Sequence, residues 1–169
     1  MVQASEGIEF VSASVETTDE GYRLASSFSV ELTHALEDAL MRGVPLYFTL
    51  QVEVSRPRWY WFDEVSIKSS RTIRLSYNVL TQQYRASVNG SLHQNFAKLE
   101  DMLGLLRRPS RWVIADHAAL RRDVSYTVAV QLAMDVSLLP KPIQVSALGS
   151  GEWRISSGWN RFNYRTDGK

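Results

Sequence analysis

Leu46-Tyr47-Phe48-Thr49-Leu50-Gln51-Val52-Glu53-Val54-Ser55 reads in steps of two. Leu46, Phe48, Leu50, Val52 and Val54 fall on one side, and Tyr47, Thr49, Gln51, Glu53 and Ser55 on the other. Successive side chains of a strand point to opposite faces, so this pattern predicts a half-buried strand with one face on a core. The same period recurs outward in both directions. Tyr22, Leu24, Phe28 and Val30 oppose Arg23, Ser27 and Ser29, and Ile73, Leu75, Tyr77 and Val79 alternate with Thr72, Arg74, Ser76 and Asn78. The longest run sets Val124, Tyr126, Val128, Val130, Leu132, Met134 and Val136 against Ser125, Thr127, Gln131 and Asp135. One apolar and one polar face is the mark of antiparallel sheet.

Two segments leave this period. Leu32, Leu36 and Leu40 recur every four residues before Gly43, and Phe96, Leu99, Leu103 and Leu106 recur at three or four before Arg107-Arg108 and Pro109. Both spacings predict short, one-sided helices, ended by a glycine in one case and a proline in the other. Thr18-Asp19-Glu20-Gly21 and Thr81-Gln82-Gln83 read as hairpin turns, and Gly149-Ser150-Gly151 as a loop. Leu139-Pro140-Lys141-Pro142 is expected to be extended, because proline disfavours helix in the residue before it. Trp153, Ile155, Trp159, Phe162 and Tyr164 make the tail apolar enough to dock.

In order, these elements spell strand, strand, helix, strand twice, suggesting pseudo-repeats over 8–57 and 71–142. Leu36-Glu37-Asp38-Ala39-Leu40 matches Leu99-Glu100-Asp101-Met102-Leu103, and Leu50 to Ser55 matches Leu132 to Ser137. The offset grows from about 62 to about 82 positions, which implies an insertion of about twenty residues between Arg108 and Asp123. Chance likeness between amphipathic strands is the competing explanation.

A chain of 169 residues suits one domain, and 44% hydrophobic with 22% charged residues suits a globular one. Nineteen basic and 18 acidic residues leave a net charge of +1, and the basic residues are scattered, so nucleic acid is not an expected partner. The absence of cysteine excludes disulfides, thiol catalysis and thiolate metal sites. No apolar run reaches the ~18–20 residues of a membrane-spanning helix.

No catalytic frame stands out. His34, His93 and His117 lack convergent metal-ligand spacing, so no metal or cofactor is expected. Asp116-His117 could orient a base, but no serine lies in a Gly-x-Ser-x-Gly elbow. The carboxylate pairs Glu37-Asp38, Asp63-Glu64 and Glu100-Asp101 are sequence neighbours, whose side chains diverge. Arg56-Pro57-Arg58-Trp59-Tyr60-Trp61-Phe62-Asp63-Glu64 allows two readings. It is a strand with Trp59 and Trp61 facing one layer and Tyr60 and Phe62 another, or a contact surface of the aromatic and arginine kind that dominates interfaces.

Pro45-Leu46-Tyr47-Phe48, Arg58-Trp59-Tyr60-Trp61-Phe62-Asp63-Glu64, Leu139-Pro140-Lys141-Pro142-Ile143-Gln144-Val145 with Ala147-Leu148, and Ser157-Gly158-Trp159 resemble the bacterial domain-of-unknown-function family 4390. The resemblance spans about residues 8–164. It implies an exported proteobacterial protein of the periplasm or envelope, whose signal sequence, absent from this chain, is expected to be removed. It implies no activity and no catalytic residues.

These readings converge on a mostly β protein, an antiparallel β-sandwich of immunoglobulin-like or related type with about seven to nine strands and two short helices. A partly closed barrel is the alternative. The expected role is a non-catalytic one, binding an unidentified envelope protein through a patch of Arg56, Arg58, Trp59, Tyr60, Trp61 and Lys141. The other reading is a carrier that holds a small apolar ligand between the sheets, which requires an enclosed apolar pocket.

Overall fold

Leu46, Phe48, Leu50, Val52 and Val54 are all fully buried on one face of strand β3 (Leu46–Arg56), as the period of two requires. The computed structural model describes residues 7–57, 64–148 and 151–166. Before β3 come the hairpin β1 (Gly7–Thr18) and β2 (Gly21–Glu31), then helix α1 (His34–Met41). After it come β4 (Glu64–Asn78), β5 (Gln83–Val88), β6 (Gln94–Phe96), α2 (Leu99–Arg107) and β7 (Trp112–Ala115). β8 (Ser125–Met134), α3 (Lys141–Leu148) and β9 (Asn160–Arg165) complete the described chain.

The nine strands form two antiparallel sheets, one of three strands in the order β1-β2-β7 and one of six in the order β6-β5-β4-β3-β8-β9. One continuous core joins them, taking Leu24, Phe28 and Val30 from the small sheet and Phe48, Leu75 and Val130 from the large one. This is the sandwich expected from the alternation, and the sheets stay separate rather than closing as a barrel. At one margin they nonetheless meet: Thr17 of β1 and Tyr164 of β9 share a hydroxyl hydrogen bond of 3.0 Å.

Strand β1 has a feature that hides it from a simple period. Its register on β2 shifts between Phe10 and Ser12, where Val11 bulges outward and is 60% exposed. Ile8 and Phe10 therefore share the core face with Val15, although their numbers differ in parity. A bulge puts two residues opposite one and so reverses the phase of everything beyond it.

Three segments differ from expectation. Phe96 belongs to β6, where it pairs with Tyr84, so α2 begins only at Leu99. Val79 lies in the β4–β5 turn and is exposed instead of continuing β4. The Leu139–Pro142 stretch is extended at Leu139 but then enters α3, a third helix that the prolines had argued against. The physical reason is position: Pro142 lies in the first turn, where a missing N–H costs no helical bond. The Pro140 carbonyl accepts from the Ile143 and Gln144 amides, both at 3.0 Å, and the Gln144 side chain donates back to the Leu139 carbonyl at 2.6 Å.

In the two proposed repeats, the closing strands β3 and β8 lie side by side with Leu50 opposite Leu132. The opening hairpins do not correspond in space, since β1–β2 is in the small sheet and β4–β5 in the large one. The element order also departs from a strict repeat, since β6 stands between β5 and α2 and β7 between α2 and β8.

Candidate binding surface

Arg56 ends β3, and its Nη2 lies 2.7 Å from Oε2 of Glu64, the first residue of β4. Arg58, Trp59, Tyr60 and Trp61 lie outside the described residues. Lys141 is exposed at the first position of α3. The chain reaches α3 from the end of β8 that pairs with the start of β3, whereas Arg56 is at the far end of that 11-residue strand. At ~3.3 Å per residue the two ends of that strand are roughly 30 Å apart.

The groups with catalytic potential are dispersed. His34 is on α1 and 3.5 Å from Asp38, His93 precedes β6, and His117 bonds through Nε2 to the Thr18 carbonyl. Among the described residues no three His, Asp or Glu side chains come together as a metal site would require. Tyr22 packs edge-on to both His117 and Tyr164, and burial, then the nearby Tyr164 and Tyr126, raises its pKa above the usual tyrosine value.

Arg71 shows how a charge can sit on the inner side of the sheet. It pairs opposite Leu50 and so faces the core side, where its Nη1 donates to the Ser110 carbonyl at 3.1 Å. Its guanidinium lies 5.0 Å from the Trp112 ring, a cation–π distance. Burial lowers its pKa from the ordinary arginine value. Arg71 thus covers the margin between β4 and β7 and takes the place of an apolar side chain there.

The outer face of the six-stranded sheet is different in kind. Register brings Tyr47, Arg74 and Ser87 into one row, and Thr72, Thr49 and Ala133 into the next. Ser70, Gln51 and Gln131 follow, then Lys68, Glu53, Ala129 and Arg161. Arg85, opposite Ser76, and Arg165, opposite Ser125, extend the face at its two ends. The strand residues of this face therefore carry Lys68, Arg74, Arg85, Arg161 and Arg165 against Glu53, which lies 3.8 Å from Lys68. Trp159 overhangs its middle, closing a small cleft of about 90 Å³ with Gln51, Glu53 and Ser70. Toward the β4–β5 hairpin a larger open cleft of about 360 Å³ is lined by Arg74, Ser76, Asn78, Arg85 and His93 among others.

Sequence reading missed this face as a site. Alternation alone puts Arg74 outward, but its proximity to Arg85 follows from strand register, which no local pattern prints.

No curated protein and no solved structure matches the chain. A family model matches residues 5–163 and is described as a domain of unknown function, DUF4390.

Proposed function

Since the chain belongs to the DUF4390 family, whose description assigns no activity, we propose a role from its own surfaces. It is a non-catalytic binding domain of the bacterial envelope that presents the outer face of its six-stranded sheet to a protein partner. The observation that carries this reading is the contrast between the two faces of β3. Its inner side chains are fully buried, while Thr49, Gln51 and Glu53 on the outer side stay partly open in a broad, cation-rich surface.

The filled inner side favours this over a carrier. Leu50, Val52, Val130 and Leu132 occupy the space where an enclosed apolar ligand would lie, and the clefts on this sheet open outward with polar walls. A polar surface with arginines and few acids suits recognition through charge complementarity, which sets both encounter rate and specificity. The envelope location is part of the proposal, and fractionation of the producing cell tests it.

Photo-crosslinking in that cell tests the face. A crosslinking side chain at Gln51 is expected to give one discrete protein adduct, and one at Ser14 on the outer side of the small sheet none. Adducts of equal yield from both positions, or from Ser14 alone, would remove the assignment. A small apolar molecule carried through native purification would restore the carrier instead.

A further inference from the structure

We propose that the cleft beside the β4–β5 hairpin binds a carboxylate of an acidic, partly apolar segment of the partner protein, held between Arg74 and Arg85. The proposal rests on the binding-face reading and gives that partner a chemistry.

Register makes the two arginines diagonal neighbours on one face. Arg74 is opposite Ser87 and Arg85 is opposite Ser76, so the pair straddles adjacent strands. Like charges so placed repel unless an anion lies between them. Elsewhere the protein supplies the anion itself: Arg23 reaches Glu16, Arg56 reaches Glu64, and Arg107 reaches Glu31 and Glu100. Among the described residues neither Arg74 nor Arg85 has a carboxylate partner, and the side chains lining the cleft include no Asp or Glu.

The two guanidinium groups are also differently prepared. Arg74 is oriented by Tyr47: its Nε donates to the phenol oxygen at 3.3 Å, and its guanidinium carbon is 5.9 Å from the ring centroid. The Nε of Arg85 is buried without a hydrogen-bond partner. A cation oriented by Tyr47, beside a second cation that lines the same cleft, suits a planar two-oxygen acceptor, which guanidinium recognises by paired hydrogen bonds.

The rim selects a protein segment over a free anion. Val79 lines the cleft at 57% exposure, and Leu80 beside it is 95% exposed. The backbone that carries Leu80 is braced, because the Asn78 Oδ1 accepts from the Leu80 and Thr81 amides at 3.0 and 3.2 Å. An open cleft with a cationic floor and an apolar lip fits a carboxylate followed by an apolar side chain.

Nitrogen-15 NMR of the full chain tests this with a ten-residue peptide of alternating glutamate and leucine. Saturable shifts are expected at the Arg74 and Arg85 Nε–H signals and at the Val79–Thr81 amides. Arg74→Gln and Arg85→Gln should each weaken binding about tenfold, as the loss of one charge-assisted bond implies. Arg85→Lys should recover part of it, and unchanged melting of each variant shows that the fold is kept. Equal shifts from a lysine–leucine peptide, or undiminished binding by both Gln variants, overturn the proposal. Inorganic phosphate that moves the arginine signals as far as the peptide does, with Val79–Thr81 unmoved in both titrations, assigns a free-anion site and overturns it too. A crosslink from Gln51 that survives in the Arg74→Gln, Arg85→Gln double variant overturns this cleft while leaving the binding face intact.

Discussion

The guanidinium of Arg107 donates to the carbonyl oxygen of Val30 through both Nε, at 3.1 Å, and Nη2, at 2.9 Å. Strand β7 pairs with β2 only between Tyr22 and Leu24, so the later part of β2 lacks a strand neighbour on that side. Helix α2 fills the gap, and Arg107 at its end supplies the donors that a neighbouring strand would have offered. Nη1 meanwhile reaches Glu100 at 2.6 Å. Arg107→Met is expected to cost about 2 kcal/mol, the range for hydrogen bonds to a charged group, and Arg107→Lys should recover less than half. Urea unfolding followed by circular dichroism measures both. A loss below about 0.5 kcal/mol would show that the contact is worth no more than a surface ion pair.

Two glycines should respond to alanine with opposite signs. Gly21 has φ +136°, and a Cβ there would lie 2.1 Å from the Ala115 carbonyl oxygen, backbone that cannot swing away. Gly21→Ala should therefore destabilise by about 3 kcal/mol or more. Gly104 lies inside α2, and a Cβ there would have nothing within 4 Å. Gly104→Ala should stabilise by about 0.5–1 kcal/mol through helix propensity and loss of unfolded-chain entropy. Thermal melting of the two variants in parallel gives the comparison.

Thr33 joins distant parts of the chain. Its Oγ1 caps α1 by accepting from the Leu36 amide at 3.3 Å, and donates to the Glu152 carbonyl at 2.9 Å from a buried position. Thr33→Val keeps the shape but loses both bonds, and is expected to cost about 1–2 kcal/mol. Thr33→Ser should cost about 0.8 kcal/mol, since a buried methyl is its main loss. If Ser and Val prove equally damaging, packing rather than hydrogen bonding governs the site.

Alkali should unfold the protein through its tyrosines. Burial first, then neighbouring tyrosines, raises the pKa of Tyr22; burial, then Tyr77 and Glu37, raises that of Tyr84. The unfolded chain ionises near its ordinary value of 10.0 while the folded chain still holds these protons. The unfolded state then binds fewer protons, so stability is full below about pH 10 and falls as pH rises above it. Tyr22→Phe and Tyr84→Phe should flatten that decline, which urea titrations between pH 8 and 11 would display. An identical decline in both variants would place the alkaline sensitivity elsewhere.

Strand faces were legible wherever local period and tertiary burial agree. The inner residues of β2, β3 and β8 were named correctly because each strand keeps one phase from end to end. The period gives β1 no single face, since the extra residue at Val11 sets its two halves out of phase. Arg71 was invisible as an inward residue because a charge reads as solvent-facing until a Trp112 ring and a Ser110 carbonyl are seen to receive it. α3 was lost to a sound local rule about proline that its first-turn position evades. The candidate surface was least legible of all. The aromatic–arginine stretch drew attention by composition, whereas Arg74 and Arg85 become a pair only through the alignment of β4 on β5.

The bulge at Val11 bears on how copies of this protein behave toward one another. β1 is the outer strand of its sheet, and a long outer strand is a template along which another chain can pair. Here the template is out of phase with itself. A second copy laid against the stretch from Ser12 to Thr18 would meet the stretch from Gly7 to Phe10 with its side chains reversed. A strand added there would match both halves only by taking up the same one-residue shift that β2 makes. A single exposed valine thus interrupts the regular edge along which a second copy would have to pair.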